Sequence, residues 1–148
     1  MHMGGFFISQ IKQIGDRVFD RILAQKNIDA FNGAQGRILF VLWQGDKISM
    51  KELSSKTGLA TTTLTSMLDR MENSGLLKRT YDQSDRRKNI IVLTDRAYRL
   101  QSNYEDVSMD MSHIYYKGFT DNEISAFEEY LQRVLKNLKS EEGNLYGN

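Results

Sequence analysis

The chain of 148 residues contains no cysteine and no proline, and it has only two histidines. Without cysteine, the sequence excludes a disulfide scaffold, a thiolate zinc site and thiol-based redox sensing. Two histidines supply too few ligands for a histidine-based zinc site. The absence of proline suits a protein that is built mainly of helices.

Long hydrophobic runs are also missing. The longest strictly apolar stretch, ILFVLW at residues 38–43, is much shorter than the roughly 20 residues that span a bilayer. The first residues carry no basic region before an apolar segment and no small-residue cleavage site, so no export signal is visible. We therefore expect no membrane partner and a cytoplasmic location.

The charged residues are unevenly distributed along the chain, although the net charge is only +1. Residues 47–94 contain nine Lys/Arg and five Asp/Glu, whereas residues 95–148 contain six and ten. A basic middle beside an acidic C-terminal third indicates a polyanion-binding module attached to an acidic scaffold. The composition, 40% hydrophobic and 26% charged, is that of a globular domain with a core.

Apolar residues three and four positions apart predict helices on both sides of the basic segment. The predicted helices are roughly residues 5–27, 33–44 with Asn32 as its cap, one that follows Thr94 and ends at Gly118, and one that begins with a capping box of Thr120 and Glu123. These helices carry more apolar residues than one small domain needs, so we expect them to contact a partner.

The basic segment itself predicts a helix-turn-helix. Ser49 and Glu52 form a capping box before a short helix that ends at Gly58, and a second helix runs from Thr61 to Gly75. Two short strands follow at 76–81 and 89–94, and the charged stretch DQSDRRK connects them. We therefore expect a mainly α fold with a small β-hairpin wing, in which a winged helix-turn-helix is joined to a helical dimerisation region.

The second helix of the pair has two different faces when its residues are placed 100° apart. Leu64, Met67, Leu68 and Met71 form the side that faces the core. The helix begins with ATTTLTS, in which five side chains carry hydroxyls. N-capping is the simpler explanation for them, but it needs only one hydroxyl. Short hydroxyl side chains favour a close approach to phosphates and base edges of DNA. The predicted DNA-binding residues of this helix are Thr61, Thr62, Thr63, Thr65, Ser66, Asp69 and Arg70.

Residues 53–97, LSSKTGLATTTLTSMLDRMENSGLLKRTYDQSDRRKNIIVLTDRA, resemble the DNA-binding core of the MarR (multiple antibiotic resistance regulator) family. The resemblance rests on LDRMENSGLLKR, on the D-x-x-D-R-R pattern of the wing and on LTDRA after it. Two positions depart from the family pattern. Ala60 replaces a common capping serine, so we expect Thr61 to cap the helix, and Ala97 replaces a common glycine.

The resemblance implies that the wing tip enters the minor groove, where the enhanced negative potential suits arginine. It implies that Asp85 pairs with Arg87 and holds its guanidinium for insertion. An orienting role also explains why an acidic residue belongs in a polyanion-binding loop. The alternative is a solvated loop without a partner. The residues implied to contact phosphates are Lys78, Arg79, Arg86 and Lys88.

The predicted winged helix covers residues 30–96, and the dimerisation region covers residues 4–29 and 97–140. The resemblance implies a homodimer that binds a pseudo-palindromic operator in double-stranded DNA, and a repressor that a small aromatic or anionic effector releases. Alternatively, Phe40 and Trp43 of the proposed effector pocket belong to the core, and its two arginines are solvated or ion-paired. The proposed pocket residues are Arg17, Arg37, Phe40, Trp43 and Tyr115.

The sequence supports two other classes of function less well than it supports a DNA-binding regulator. It contains no P-loop, no G-x-S-x-G and no H-E-x-x-H motif, so we expect no enzyme, no cofactor and no metal. The remaining alternative is a winged-helix module that acts through protein contacts without specific DNA binding. Salt-sensitive, sequence-specific DNA binding distinguishes a regulator from such a module.

Overall fold

Seven helices and three short strands form the part of the chain that the computed structural model describes, residues 1–145. In chain order they are α1 (Gly4–Gln25), α2 (Gly33–Gln44), β1 (Ile48–Ser49), α3 (Met50–Thr57), α4 (Thr61–Asn73), β2 (Leu77–Tyr81), β3 (Asn89–Leu93), α5 (Asp95–Arg99), α6 (Gln101–Tyr115) and α7 (Asp121–Leu145). This order confirms the predicted fold class. Within residues 1–145, no helix is both long and apolar enough to cross a membrane.

The chain divides into two compact units. Met1–Met109 forms the first unit, which contains the helix-turn-helix and the sheet, and the second unit begins at Asp110 and contains α7. The predicted division differs, because it separates a winged helix at 30–96 from a dimerisation region on both sides of it. That division concerns an assembly of two chains, and it stays a prediction.

The helix boundaries of the first unit follow capping residues that the sequence indicates. Asn32 and Gln35 form a reciprocal capping box at the start of α2, with the Gln35 amide 2.8 Å from Asn32 Oδ1. Ser49 Oγ accepts from the Glu52 amide at 3.1 Å, but the Glu52 carboxylate pairs with a lysine one turn further on instead of returning to the cap. Gly58 ends α3 in the left-handed conformation (φ 77°), which glycine adopts without steric cost.

The start of α4 differs from the prediction. Ala60, rather than Thr61, is the N-cap, because its backbone is extended and its carbonyl accepts the first helical hydrogen bond from the Leu64 amide at 2.9 Å. Thr61 is already helical, so the prediction that its hydroxyl caps the helix was wrong. The alanine side chain cannot accept a hydrogen bond, and α4 therefore begins without a side-chain cap.

The helices after Thr94 also agree only in part with the sequence pattern. The predicted continuous helix is divided into α5 and α6 at Leu100, whose amide donates to the Ala97 carbonyl three residues back at 3.1 Å. Such a bond tightens the chain into a turn and interrupts the α-helical ladder. At the start of α7, Thr120 and Glu123 form the predicted reciprocal box, with hydrogen bonds of 2.8 and 3.1 Å.

The sheet has the strand order β1-β3-β2, and both neighbouring pairs are antiparallel. The hairpin agrees with the predicted strands to within one residue, and its register pairs Leu77 with Leu93 and Tyr81 with Asn89. Strand β1 was not predicted, because two residues are too few to produce an alternating pattern. It leaves β2 as an edge strand, and β2 leads directly into the wing tip.

The apolar face of α4 anchors the first unit. Leu64, Leu68 and Met71 are fully buried, and Met67 is partly buried against the same core, so the predicted core face is confirmed. Burying a side chain of this size contributes about 1.5–3 kcal/mol to the stability of the fold. Because this face is fixed against the core, the opposite face of α4 is turned to solvent. The other large side chains that are fully buried are Ile38, Leu39, Leu42, Leu53, Leu76, Leu77, Ile91 and Val107.

A cluster of aromatic rings surrounds Tyr104, which is 9% exposed. Its ring centroid lies 5.3 Å from that of Trp43 and between 5.8 and 6.0 Å from those of three phenylalanines, Phe19, Phe31 and Phe40. Such distances are typical of favourable aromatic pairs. Gly36 permits this packing, because a Cβ atom built there would lie 2.8 Å from Tyr104 Cε2.

We therefore expect Gly36→Ala to lower the free energy of unfolding by about 1–3 kcal/mol, the usual cost of overpacking a core. The enclosed ring cannot move aside, and this cost exceeds the gain in helix propensity. Gly45→Ala is the control, since its backbone is extended (φ 171°) and its Cβ would meet no atom within 4 Å. Urea denaturation of both variants measures the difference, and equal stabilities would contradict the packing argument.

Candidate nucleic-acid interface

The solvent face of α4 carries the residues that the sequence predicts to bind DNA. Thr61, Thr62, Thr63, Thr65, Ser66, Asp69 and Arg70 are all exposed. Two of the hydroxyls have local partners, since Thr65 Oγ1 donates to the Thr61 carbonyl at 2.8 Å and Ser66 Oγ accepts from Arg70 Nη2 at 3.0 Å. The helix thus presents short polar side chains over its first two turns, with a cation beside them.

At the wing tip, Asp85 holds Arg87. The Arg87 Nε and Nη2 atoms donate to Asp85 Oδ1 and Oδ2 at 3.1 and 3.3 Å, and the Arg87 amide donates to Oδ1 at 3.0 Å. These hydrogen bonds hold the pKa of the Asp85 carboxyl below its usual value. The Arg87 side chain nevertheless remains 91% exposed. The pairing predicted from the sequence is therefore present, and it orients the guanidinium without covering it.

Asp82, the other acidic residue of the wing tip, shapes the loop. Its Oδ1 accepts from the amide and the hydroxyl of Ser84 at 2.9 and 2.7 Å, and these bonds lower the pKa of its carboxyl. The Asp82 amide also donates to the Lys88 carbonyl at 3.0 Å, which closes the loop. Both acidic side chains of DQSDRRK thus have local hydrogen-bond partners, while the side chains of Arg86, Arg87 and Lys88 face solvent.

Arg79, a predicted phosphate contact, is already engaged by two carboxylates of α4. Its Nε and Nη2 donate to Glu72 Oε1 at 2.9 and 2.7 Å, its Nη2 lies 2.6 Å from Asp69 Oδ1, and its amide donates to Glu72 Oε2 at 3.3 Å. We name the Arg79, Glu72 and Asp69 side chains the clasp. Because its Nε and Nη2 already bind carboxylates, we leave Arg79 out of the proposed phosphate contacts.

Glu72 is a functional candidate that the sequence did not indicate. Asp69 and Glu72 lie three residues apart on one helix, and such a pair on a helix is ordinarily a solvated feature. Their contact with Arg79 depends on the turn at Gly75 (φ 81°), which directs β2 back along α4. No spacing in the sequence specifies that geometry.

Four of the five residues proposed for an effector pocket lie in the first unit, and Tyr115 lies in the second. Phe40 and Trp43 both contact the Tyr104 ring, and the Trp43 indole donates to the Ala97 carbonyl at 3.1 Å, as expected for a residue of the core. Arg37 is ion-paired with Asp16, which agrees with the alternative interpretation of that arginine.

Arg17 is exposed on α1, and Tyr115 is exposed at the end of α6, beyond the boundary of the first unit. A shared pocket for the five predicted residues therefore stays a prediction. For metals, the described part of the chain has no cluster of three or more His, Asp or Glu side chains that could hold an ion.

The clasp makes a prediction about the ionisation of Glu72. Hydrogen bonds from Arg79 keep the pKa of the Glu72 carboxyl below its ordinary value of 4.5. Because the folded-state pKa is depressed, the stabilisation is present above pH 4.5 and is lost as the pH falls through the lower folded value. We expect a carboxyl NMR titration to find this low pKa, and to find a higher one in Arg79→Gln. An unchanged pKa in the variant would contradict the contact.

Comparisons with known proteins agree on one family. The sequence model of the MarR family matches residues 31–88. The transcriptional regulator TtmR of Methylorubrum extorquens is 41% identical over 64 residues, which cover 43% of this chain and 33% of TtmR. The uncharacterized regulator YsmB of Bacillus subtilis is 31% identical over 98 residues, which cover 66% of this chain and 67% of YsmB.

Solved structures have the same fold. A mutant MarR from E. coli in complex with operator DNA superimposes with a TM-score of 0.78 at 25% identity, and the match covers 88% of this chain and 92% of that one. CouR from Rhodococcus jostii, solved with p-coumaroyl-CoA bound, has a TM-score of 0.74 at 21% identity over 88% of this chain and 90% of that one. At this level of identity, the similarity to CouR shows a common fold and nothing more.

Proposed function

The chain belongs to the MarR family of transcriptional regulators, and from this premise we propose that it is a homodimeric repressor that binds a pseudo-palindromic operator. Its family and its relatives are regulators rather than enzymes. The observation that carries the proposal is the wing tip, where Asp85 orients an arginine that remains 91% exposed. We expect the protein to act in the cytoplasm, where a bacterial chromosome lies.

The proposed contacts divide between two grooves of the DNA. The solvent face of α4 lies in the major groove, where its hydroxyls bond phosphate oxygens and base edges and its threonine methyls contact thymine methyls. Arg87 enters the minor groove, while Arg86 and Lys88 contact the phosphates beside it. The hydrogen bonds between Asp85 and Arg87 support this role, because an arginine that is already oriented loses less entropy on binding.

We expect Arg87→Ala to weaken operator binding by about 1–3 kcal/mol. The operator is first selected from a random DNA library, and binding is then measured by fluorescence anisotropy at two salt concentrations against scrambled DNA. Asp85→Ala should also weaken binding although it removes a negative charge, because the arginine loses its orienting partner. Lys117→Ala, which removes an exposed cation from the turn before α7, is the charge-matched control.

Three results would separate the proposal from its alternative. Specific, salt-sensitive binding that Arg87→Ala weakens supports the wing as a DNA contact. If Arg87→Ala and Lys117→Ala lose the same operator affinity, Arg87 contributes only its positive charge and not a specific contact. Equal binding of selected and scrambled DNA by the wild type would favour a winged-helix module that acts through protein contacts.

The homodimer is proposed from apolar side chains that remain uncovered on single helices. Large apolar residues of α1 and α7 recur at helical spacing, and each exposes more than a third of its surface. On α1 they are Phe6, Phe7, Ile8, Ile11 and Ile14, and on α7 they are Phe127, Leu131, Val134, Leu135 and Leu138. We infer that a second copy of the chain covers them, since a two-fold dimer also places two recognition helices on the two half-sites of a pseudo-palindrome.

Leu135→Lys should therefore convert the dimer to a monomer, because it places a charge within the apolar stripe of α7. Light scattering after size exclusion measures the mass, and the monomer should lose most of its operator affinity because only one half-site remains bound. Ser140→Lys adds the same charge on the other side of α7 and should leave the dimer intact. A dimeric Leu135→Lys would show that this stripe does not form the interface.

Release by a small effector is the part of the proposal that rests on family membership. The similarity in fold to CouR, which was solved with an aromatic acyl-CoA, is compatible with an aromatic or anionic effector. The partly exposed ring of Phe40 beside Tyr104 is the accessible edge of the aromatic cluster. We propose that an effector shifts the spacing of the two recognition helices, which requires different affinities for two conformations of the dimer.

A further inference from the structure

The clasp connects the two elements that are proposed to enter different grooves. Arg79 lies on the edge strand β2, two residues before the end of that strand, and Glu72 and Asp69 lie in the last turns of α4. Glu72 uses both oxygens, since Oε1 accepts from the Arg79 guanidinium and Oε2 accepts from the Arg79 amide. The carboxylate therefore binds the backbone of the wing strand as well as its side chain.

The geometry and burial of the clasp distinguish it from an ordinary surface ion pair. The Arg79 side chain is 25% exposed and the Glu72 side chain 34%, whereas an exposed pair contributes almost nothing. One guanidinium engages two carboxylates, and ion pairs in such a network contribute more than isolated surface pairs do. The backbone amide on the free edge of β2 also gains an acceptor, which an edge strand otherwise lacks.

Besides the clasp, α4 and β2 are joined by the turn that follows the helix and by the core, in which Leu77 of β2 is buried together with Leu68 and Met71. That turn is closed by backbone hydrogen bonds from Gly75 to Glu72 and from Leu76 to Met71, at 3.0 and 2.9 Å. The turn and the buried Leu77 fix the start of β2, and pairing with β3 continues along the strand, but neither attaches the middle of β2 directly to the solvent face of α4. Arg79 provides that attachment, only three residues before the loop that carries the wing-tip cations.

The charges of the clasp are otherwise difficult to explain. Asp69 and Glu72 are two acidic residues at a surface that is proposed to meet a polyanion, and together with Arg79 they sum to one negative charge. In a simple electrostatic view, they weaken DNA binding and their removal strengthens it. If Asp69 and Glu72 favour DNA binding, they must do so by an effect other than their charge.

We propose that Glu72, Asp69 and Arg79 are positioning residues, which hold the wing at a fixed direction relative to α4 so that both reach their grooves together. This inference rests on the proposed function and adds to it a role for residues that do not themselves contact DNA. The benefit is preorganisation, since a wing that is already oriented loses less freedom on binding. The clasp predicts that Glu72→Ala weakens operator binding, whereas electrostatics predicts that it strengthens binding.

The test is a double-mutant cycle between Glu72→Ala and Arg87→Ala on the selected operator. Arg87→Ala should reduce affinity by about tenfold in the wild type, but by less than about twofold when Glu72 is absent, because an undirected wing no longer delivers Arg87 to the groove. In the described structure Glu72 pairs with Arg79 and Arg87 pairs with Asp85, with no hydrogen bond or ion pair between residues 72 and 87, so a direct polar interaction does not account for this non-additivity.

Three further variants separate positioning from folding and from charge. Glu52→Ala removes a carboxylate of α3 outside the clasp, and it should leave affinity unchanged or increase it. Arg79→Lys keeps the charge but loses the forked geometry, so it should restore only part of the affinity that Arg79→Gln loses. Thermal unfolding shows that each variant is folded. If the clasp only stabilised the fold, Glu72→Ala would lower the melting temperature, and its effect on operator affinity would add to that of Arg87→Ala.

Different results would overturn the clasp and the proposed function. Weaker binding by Glu72→Ala together with a lost Arg87 effect supports the clasp. Glu72→Ala binds the operator more tightly if only its negative charge matters. If it does so, and if Arg87→Ala lowers affinity equally in the wild type and in Glu72→Ala, the clasp is overturned while the DNA-binding function stands. A folded wild type that binds no operator overturns the function, and the positioning role with it.

Discussion

Burial of one face of α4 is the constraint on which the rest of the interface depends. Leu64, Leu68 and Met71 are fully enclosed, and replacing a leucine at such a site with alanine costs about 2–5 kcal/mol. The helix therefore cannot rotate without exposing its apolar side chains. Because its rotation is fixed, the threonine-rich side faces outward without any contribution from the polar residues themselves. The core thus determines which residues can meet DNA, and it does so through side chains that never touch it.

Hydrogen bonds that carboxylates accept then organise the side chains that the core has turned outward. Asp85 orients Arg87, Asp82 shapes the loop through Ser84, and Glu72 attaches the wing strand to α4. The bonds at the wing tip hold an arginine that is 91% exposed, so they add little to global stability. Their effect is local: they reduce the number of arrangements available to the cations. The fold supplies the position of the wing, and the carboxylates supply its geometry.

Patterns in the sequence predicted features that depend on local spacing, and missed those that depend on tertiary geometry. The core face of α4, the hairpin and the Asp85–Arg87 pairing follow from periodicity, turn chemistry or family resemblance. The cap of α4 was assigned one residue late, because local preference for threonine says nothing of where the preceding turn places Ala60. The break at Leu100 leaves the apolar period intact and is invisible to it. The contact of Glu72 with Arg79 requires the path of the chain through a turn, which no spacing encodes.

The charge of the basic segment has a different meaning once these contacts are known. Residues 47–94 hold nine cations and five acidic residues, and a net-charge estimate subtracts one from the other. In the structure, each acidic side chain is used to hold a particular partner, so the acids direct the positive charge in addition to reducing it. A surface with the same net charge but unpaired acids would attract DNA equally from a distance, because steering depends on summed charge. It would not present one fixed arrangement to the grooves, which sequence-specific binding requires. The five acidic residues are Glu52, Asp69, Glu72, Asp82 and Asp85.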